Sequence, residues 1–186
     1  LVNLPATYIY DYSFRLKEGR PKTIEGYVQL KGDKASGQVV KLRIDELGKV
    51  LDLKTDKEGW THFEIESDIT YWSPKNPKRY QISINTSDES ITDQIGFKTI
   101  KTRSTQIYLN NEPIFLRGIS IHEEAPFGAG RVTNEEQCRI LLQWAKELGC
   151  NFVRLAHYPH SEFMVREAER LGLLIWSEIP VYWTIL

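Results

Sequence analysis

The sequence predicts two domains in series: an all-β, immunoglobulin-like sandwich over residues 1–104 and an α/β segment over residues 105–186. Two observations carry this. Apolar residues alternate with period two through the first hundred positions, and after Thr105 that alternation gives way to short apolar strands separated by amphipathic stretches. The composition, 41% hydrophobic and 26% charged, is that of an ordinary globular chain long enough for two small domains.

In the first domain, Tyr8, Tyr10, Tyr12, Phe14 and Leu16 alternate with mostly polar neighbours. Ile24, Val28 and Leu30 continue the pattern, followed by Val40, Leu42 and Ile44, then Leu51 and Leu53. Thr61, Phe63 and Ile65 form another run, as do Tyr80, Ile82 and Ile84, and finally Ile95, Phe97 and Thr99. Strict alternation means one buried face and one wet face, as in an antiparallel sheet. Turn residues punctuate the runs: Lys31-Gly32-Asp33, Glu46-Leu47-Gly48, Asp56-Lys57-Glu58-Gly59 and Pro74-Lys75-Asn76-Pro77. About seven short strands in about a hundred residues suit a two-sheet sandwich of immunoglobulin type. No Cys–Trp–Cys pattern is present, which argues against an antibody-like domain proper.

In the second domain, Ile107–Leu109 and Ile114–Leu116 flank Asn110-Asn111-Glu112-Pro113, a hairpin turn. An apolar strand follows over Phe115–Ile121. Thr133-Asn134-Glu135-Glu136 reads as a capping box, opening a helix with Leu141, Trp144, Ala145 and Leu148 on its buried side and Gly149 at its end. A strand, Phe152–Ala156, comes next. Ser161 caps a second helix with Met164, Ala168 and Leu171 buried and Gly172 terminal, and the strand Leu173–Trp176 follows. Strand–helix–strand–helix–strand requires a parallel sheet with right-handed crossovers. A TIM barrel and an open doubly wound sheet both fit. No glycine-rich turn links a strand to a helix, so no nucleotide fingerprint is present. Each strand ends in ionisable residues: His122-Glu123-Glu124, then His157-Tyr158-Pro159-His160, then Ser177-Glu178. In barrels the active site lies at those ends.

Net charge is −1 with acids and bases interspersed, which argues against nucleic acid or an anionic membrane as partner. No apolar run reaches bilayer-spanning length. The two cysteines, Cys138 and Cys150, read as reduced core thiols, and neither a zinc pattern, another metal constellation nor a cofactor signal is visible. The first residues, Leu1 to Pro5, contain neither an initiator methionine nor a signal peptide, so the expectation is a segment from inside a longer protein, with its compartment unreadable.

Three stretches resemble glycoside hydrolase family 2, the group of β-galactosidases, β-glucuronidases and β-mannosidases. They are Leu109–His122 (LNNEPIFLRGISIH), Asn151–Pro159 (NFVRLAHYP) and Glu169–Glu178 (ERLGLLIWSE). These look like the family's entry to its first barrel strand, its Asn-x-x-Arg-x-x-His-Tyr-Pro signature, and its run into the third strand. Trp72-Ser73-Pro74 through Tyr80, and Gly96-Phe97-Lys98, are similar to the end of the family's immunoglobulin-like middle domain. Leu155, Glu169 and Lys98 depart from the usual pattern, where a small or polar residue, aspartate and arginine stand. The resemblance implies that residues 105–186 are a truncated TIM barrel, about its first three strands and two helices.

The family's reaction is a double displacement retaining anomeric configuration, run by two carboxyl groups about 5 Å apart, one protonated and one ionised. In the family both are glutamates, one after an asparagine at the end of the fourth strand and one later. No catalytic residue is therefore assigned among these 186 positions, and the chain by itself is expected to be inactive. The matching motif positions imply substrate-binding roles for His122, Arg154 and His157, with a terminal β-galactoside or β-glucuronide as the carbohydrate partner of the parent enzyme. For each residue the competing reading is structural: an ion pair for Arg154, a strand-end imidazole bonded to backbone for the histidines. Glu178 is expected to anchor Arg154 or a loop amide. Glu123 and Glu124 read as loop residues, because neighbouring strand residues point to opposite faces. Tyr158, Trp176, Tyr182 and Trp183 are candidates for sugar stacking or for core packing. Open strand edges predict self-association of the truncated barrel. The alternative function is a non-catalytic carbohydrate-binding or interaction module built on the sandwich.

Overall fold

The computed structural model describes residues 4–128 and 130–180, which fall into two units: residues up to Tyr71 together with Lys78–Thr99, and Trp72–Pro77 together with the residues from Ile100 onward. Among the described residues no helix is long and apolar enough to cross a membrane.

The first unit contains β1 (Thr7–Lys17), β2 (Arg20–Gly32), β3 (Val39–Ile44), β4 (Lys49–Lys54), β5 (Trp60–Glu66), β6 (Tyr80–Asn85) and β7 (Ser90–Ile95). All pair antiparallel, in two sheets ordered β1-β2-β5 and β4-β3-β6-β7. The alternating residues explain the layering. Ile24 and Val28 of β2 and Phe63 and Ile65 of β5 point into one core with Val40, Leu42 and Ile44 of β3 and Ile82 and Ile84 of β6. Burying each such side chain contributes roughly 1.5–3 kcal/mol against chain entropy. Gly26 is required where β2 crosses this core: a Cβ there would lie 2.5 Å from the Phe63 ring and 2.0 Å from the Ser13 carbonyl.

The tyrosine run does not keep one phase. A bulge between Ile9 and Asp11 shifts the register of β1. Thr7 and Ile9 therefore face in before it, Phe14 and Leu16 after it, and Tyr10 is 53% exposed. One extra residue moves a side chain to the other face.

The second unit begins with β8 (Ile100–Arg103), β9 (Gln106–Leu109) and β10 (Glu112–Ile114), an antiparallel meander. The β9–β10 turn is only Asn110-Asn111, with φ of 53° and 69°. Two left-handed residues make the primed turn whose twist matches a hairpin, so Glu112 and Pro113 belong to the strand. The Asn110 side-chain amide donates to the Trp72 carbonyl at 2.9 Å. The chain continues through β11 (Gly118–Ile121), α1 (Glu135–Glu147), β12 (Phe152–Leu155), α2 (Glu162–Leu171) and β13 (Leu174–Ser177). β11, β12 and β13 form a parallel sheet in that order, with Ser120, Arg154 and Trp176 in register. Phe115, expected in the first strand, precedes it and is 76% exposed.

One face of this sheet packs on the helices: Ile121, Val153, Leu155 and Leu173 meet Cys138, Leu142, Ala145, Met164 and Ala168. The cap of α1 sits one residue later than expected. Asn134 accepts the Gln137 amide at 3.0 Å, and the Gln137 side chain accepts the Thr133 amide at 2.8 Å. Its buried stripe is likewise rotated, to Cys138, Leu142 and Ala145, leaving Trp144 41% and Leu148 71% exposed. Trp144 instead meets Phe127 edge-on at 5.6 Å. Ser161 caps α2 and Gly172 ends it at φ 76°, as its sequence predicts. Glu167 ties the helices together, accepting from Arg139 of α1 and Arg170 of α2. Burial would push its carboxyl up, but the two guanidinium groups outweigh that and hold it below the usual value.

On the opposite face, strand alternation splits the sheet into two levels. At the level where the strands begin, Phe152 and Leu174 are covered by Trp72, Leu109, Ile114 and Leu116. Trp72 is fully buried, and its indole N–H donates to the Glu169 carbonyl at 2.8 Å. At the level where the strands end, Ser120, Arg154 and Trp176 share that face.

Candidate functional site at the carboxyl ends of the parallel strands

Arg154 projects from β12 with its side chain 35% exposed, and Glu178 follows β13. The two form a bidentate pair: Nε to Oε1 at 2.8 Å and Nη2 to Oε2 at 3.0 Å. Nη1 reaches Ser120 Oγ of the other neighbouring strand at 3.3 Å. Among the described residues, three of the five guanidinium N–H donors are thus engaged, leaving two for another acceptor. The Arg154 guanidinium, with help from the His157 amide, holds the Glu178 carboxyl below the usual carboxylate range.

His157 comes two residues after β12 at φ 74°, a left-handed conformation uncommon outside glycine. Its amide donates to Glu178 Oε2 at 2.5 Å, which helps to hold the backbone in this conformation. The His157 Nδ1 lies 3.8 Å from the same carboxylate. The His122 ring, just past β11, stands 5.1 Å from the His157 ring and 6.2 Å from the Tyr158 ring. The three residues singled out in the sequence, His122, Arg154 and His157, therefore converge at the ends of adjacent strands, and Glu178 makes both of its expected contacts.

Glu123 lies past the end of β11, as expected of a loop residue, but it is buried. Its side chain is 2% exposed, and its carboxylate accepts from the Arg131 guanidinium, with Nε at 3.1 Å, and from the Ser161 amide. The strand ends at Ile121, so facing rules stop applying and the chain is free to turn Glu123 inward. Its partner Arg131 is returned by a bridge between Glu124 and Arg131. The arginine also lies over the Tyr158 ring, 4.8 Å from its centroid, and Tyr158 stacks on His160 at 5.0 Å. Sequence reasoning missed Glu123. The available signal was its position directly after a candidate site histidine, with an unassigned arginine eight residues on.

Trp176 is 59% exposed on the open face, while Tyr158 is engaged by Arg131 and His160. Tyr182 and Trp183 lie outside the described residues. Both cysteines are buried and unpaired with each other. The arrangement offers hydrogen-bond donors on a rigid sheet, anchored by a carboxylate, suited to hydroxyl or carboxylate groups.

Residues 100–183 match the sequence model of the family described as glycosyl hydrolases family 2, TIM barrel domain. The chain belongs to glycoside hydrolase family 2. It is 33% identical over 119 residues to a β-glucuronidase of Streptococcus agalactiae, covering 61% of this chain and 20% of that protein. It is 30% identical over 138 residues to a β-galactosidase of Thermoanaerobacter pseudethanolicus, covering 70% of this chain and 18% of that protein. The apo structure of β-glucuronidase 3 from Bacteroides uniformis superposes with a TM-score of 0.77 at 29% identity, over 96% of this chain and 24% of the other. The chain thus spans about a fifth of the length of these curated relatives. The family assignment also accounts for a mostly-β chain with few helices.

Proposed function

We propose that this chain forms part of the sugar-binding wall of a retaining β-glycosidase acting on terminal β-galactosides or β-glucuronides. The observation that carries the reading is the convergence of His122 and His157, 5.1 Å apart, beside the Arg154–Glu178 pair at the ends of three parallel strands. In this reading the first unit is an immunoglobulin-like sandwich and the second the opening part of a TIM barrel. His122, Arg154 and His157 donate hydrogen bonds to the sugar, whose hydroxyls and any carboxylate accept them. Glu178 keeps Arg154 ionised and oriented, and holds His157 by its amide.

The two glutamates that perform the family's displacement have no counterpart among the motif positions of this chain, so the 186 residues alone bind without turning over. Exposed apolar side chains of the second unit, Trp176 and Ile179 among them, support self-association of the isolated polypeptide. The test is an assay of the purified chain with aryl β-galactosides and aryl β-glucuronides. No release of the aryl group above a heat-denatured control is expected; clear turnover overturns the reading.

A second reading, sugar binding by the sandwich itself, is favoured by one observation. Tyr27, Trp60 and His62 cluster on the outer face of the three-stranded sheet, Tyr27 and Trp60 at 5.1 Å, beside a groove of about 540 Å³. Saccharide titration discriminates: the first reading expects resonance shifts at His122 and His157, the second at Tyr27 and Trp60.

A further inference from the structure

Two glutamates grip the turn that follows the middle strand, one from each neighbouring strand. Glu178, after β13, takes the His157 amide. Glu123, after β11, takes the Ser161 amide at the far end of the same turn. The Glu123 amide also donates to the Tyr158 hydroxyl at 3.2 Å, and the Glu123 carbonyl accepts from Val132 at 3.2 Å. Arg131 closes the knot, paired to the carboxylate on one side and lying on the Tyr158 ring on the other. An ionised side chain this buried is retained only where its hydrogen bonds are met, and here the charge joins three separate segments: the end of β11, the loop returning at Arg131, and the turn from His157 to Ser161.

We infer that Glu123 is a positioning residue, whose carboxylate fixes the His157–Ser161 turn against β11 and thereby sets the facing of the His122 and His157 rings. The geometry supports this directly. His122 is covalently next to Glu123, while His157 is held through the turn that Glu123 clamps, so one buried group references both imidazoles to the same point. Without the clamp the Ser161 end of the turn loses its carboxylate acceptor and Arg131 loses the partner that holds it over the Tyr158 ring. The consequence for sugar binding rests on the function proposed above; the consequence for ring geometry does not.

The experiment uses the full chain and the Overhauser effect between ring protons of His122 and His157, with the Arg154 Nε–H resonance as an internal reference. Glu123→Gln keeps the shape but loses the charge that holds Arg131. The cross-peak is expected to fall at least threefold while the Arg154 resonance stays in place. Arg131→Gln, at a side chain 61% exposed, provides a variant that folds even if the first does not, and is expected to weaken the same cross-peak partially. Ser161→Ala frays the start of α2 without touching the carboxylate and is expected to leave the cross-peak intact. Full intensity in folded Glu123→Gln or in Arg131→Gln overturns the proposal, as does an equal loss in Ser161→Ala, which would reduce the effect to helix capping. A parallel titration with galactose and glucuronate separates the two claims: absence of any shift at His122 or His157 in the native chain defeats the sugar-binding reading, while the cross-peak still decides the role of Glu123.

Discussion

Replacing Trp72 with alanine tests whether the short segment Trp72–Pro77 folds with the parallel-sheet unit. The side chain is fully buried, in contact with Leu109, Leu174 and their neighbours, and its indole N–H is bonded to the Glu169 carbonyl. An aromatic side chain of this kind buries about 150–250 Å², which at about 25 cal/mol per Å² corresponds to roughly 4–6 kcal/mol. Measured truncations of buried Trp to Ala cluster near 3–5 kcal/mol, and the orphaned carbonyl adds of order 1 kcal/mol. The expected loss is about 4 kcal/mol. Trp72→Phe keeps most of the packing and loses the hydrogen bond, so its cost should fall near 1–2 kcal/mol. With two units, a single transition midpoint would blur the effect. Residue-resolved hydrogen exchange in urea separates them: protection should drop across β12, α2 and β13, with residues 39–44 and 80–85 unchanged. A loss below about 1 kcal/mol in the parallel-sheet unit, or one confined to β3 and β6, would refute the packing argument.

Glu178 titrates below its usual 4.5 because Arg154 and the His157 amide favour the carboxylate. A lowered folded value means the stabilisation is full above that usual value and disappears as pH falls through the folded value. Exchange protection of the His157 amide should therefore decline on acidification in the native chain and start low but stay flat in Glu178→Gln; parallel curves would contradict this. Burial raises the Cys138 thiol to about 11, so iodoacetamide at pH 8 should label it slowly in the folded chain and rapidly in urea, read by mass spectrometry. Gly118→Ala would bring a Cβ to 2.5 Å from the Phe152 carbonyl and 2.4 Å from its ring. The ring can turn but the β12 backbone cannot, so a thermal-shift assay should report a loss of about 1–3 kcal/mol.

The parts of this fold that were legible in the sequence are those where one physical signal dominates. Val40, Leu42 and Ile44 alternate and are all buried, because β3 lies between two partner strands and one of its faces meets the core. Ser161 and Gly172 bracket α2 because their chemistry suits a cap and a left-handed stop. Where two signals compete, local pattern misleads. Leu141, Trp144 and Leu148 extend an apolar stripe wider than the face that the sheet covers, so tertiary contacts selected Cys138 and Leu142 instead. β8, whose four residues are all exposed, has no buried face to produce a period. At the site, His122, Arg154, His157 and Glu178 could be picked out because each sits at a strand end within a family motif. Glu123 was harder to read, since its burial rests on Arg131 eight residues on and on Ser161, a contact that no short window contains.

The central claim is that the ends of β11, β12 and β13 present one sugar-facing cluster. Side-chain NMR of His122, Arg154 and His157 during titration with glucuronate tests it most directly. Saturable shifts of all three with a common dissociation constant, abolished by Arg154→Met, are what the account predicts. Shifts confined to Tyr27 and Trp60, or none at any saccharide concentration while the three resonances report an intact Arg154–Glu178 pair, would contradict it.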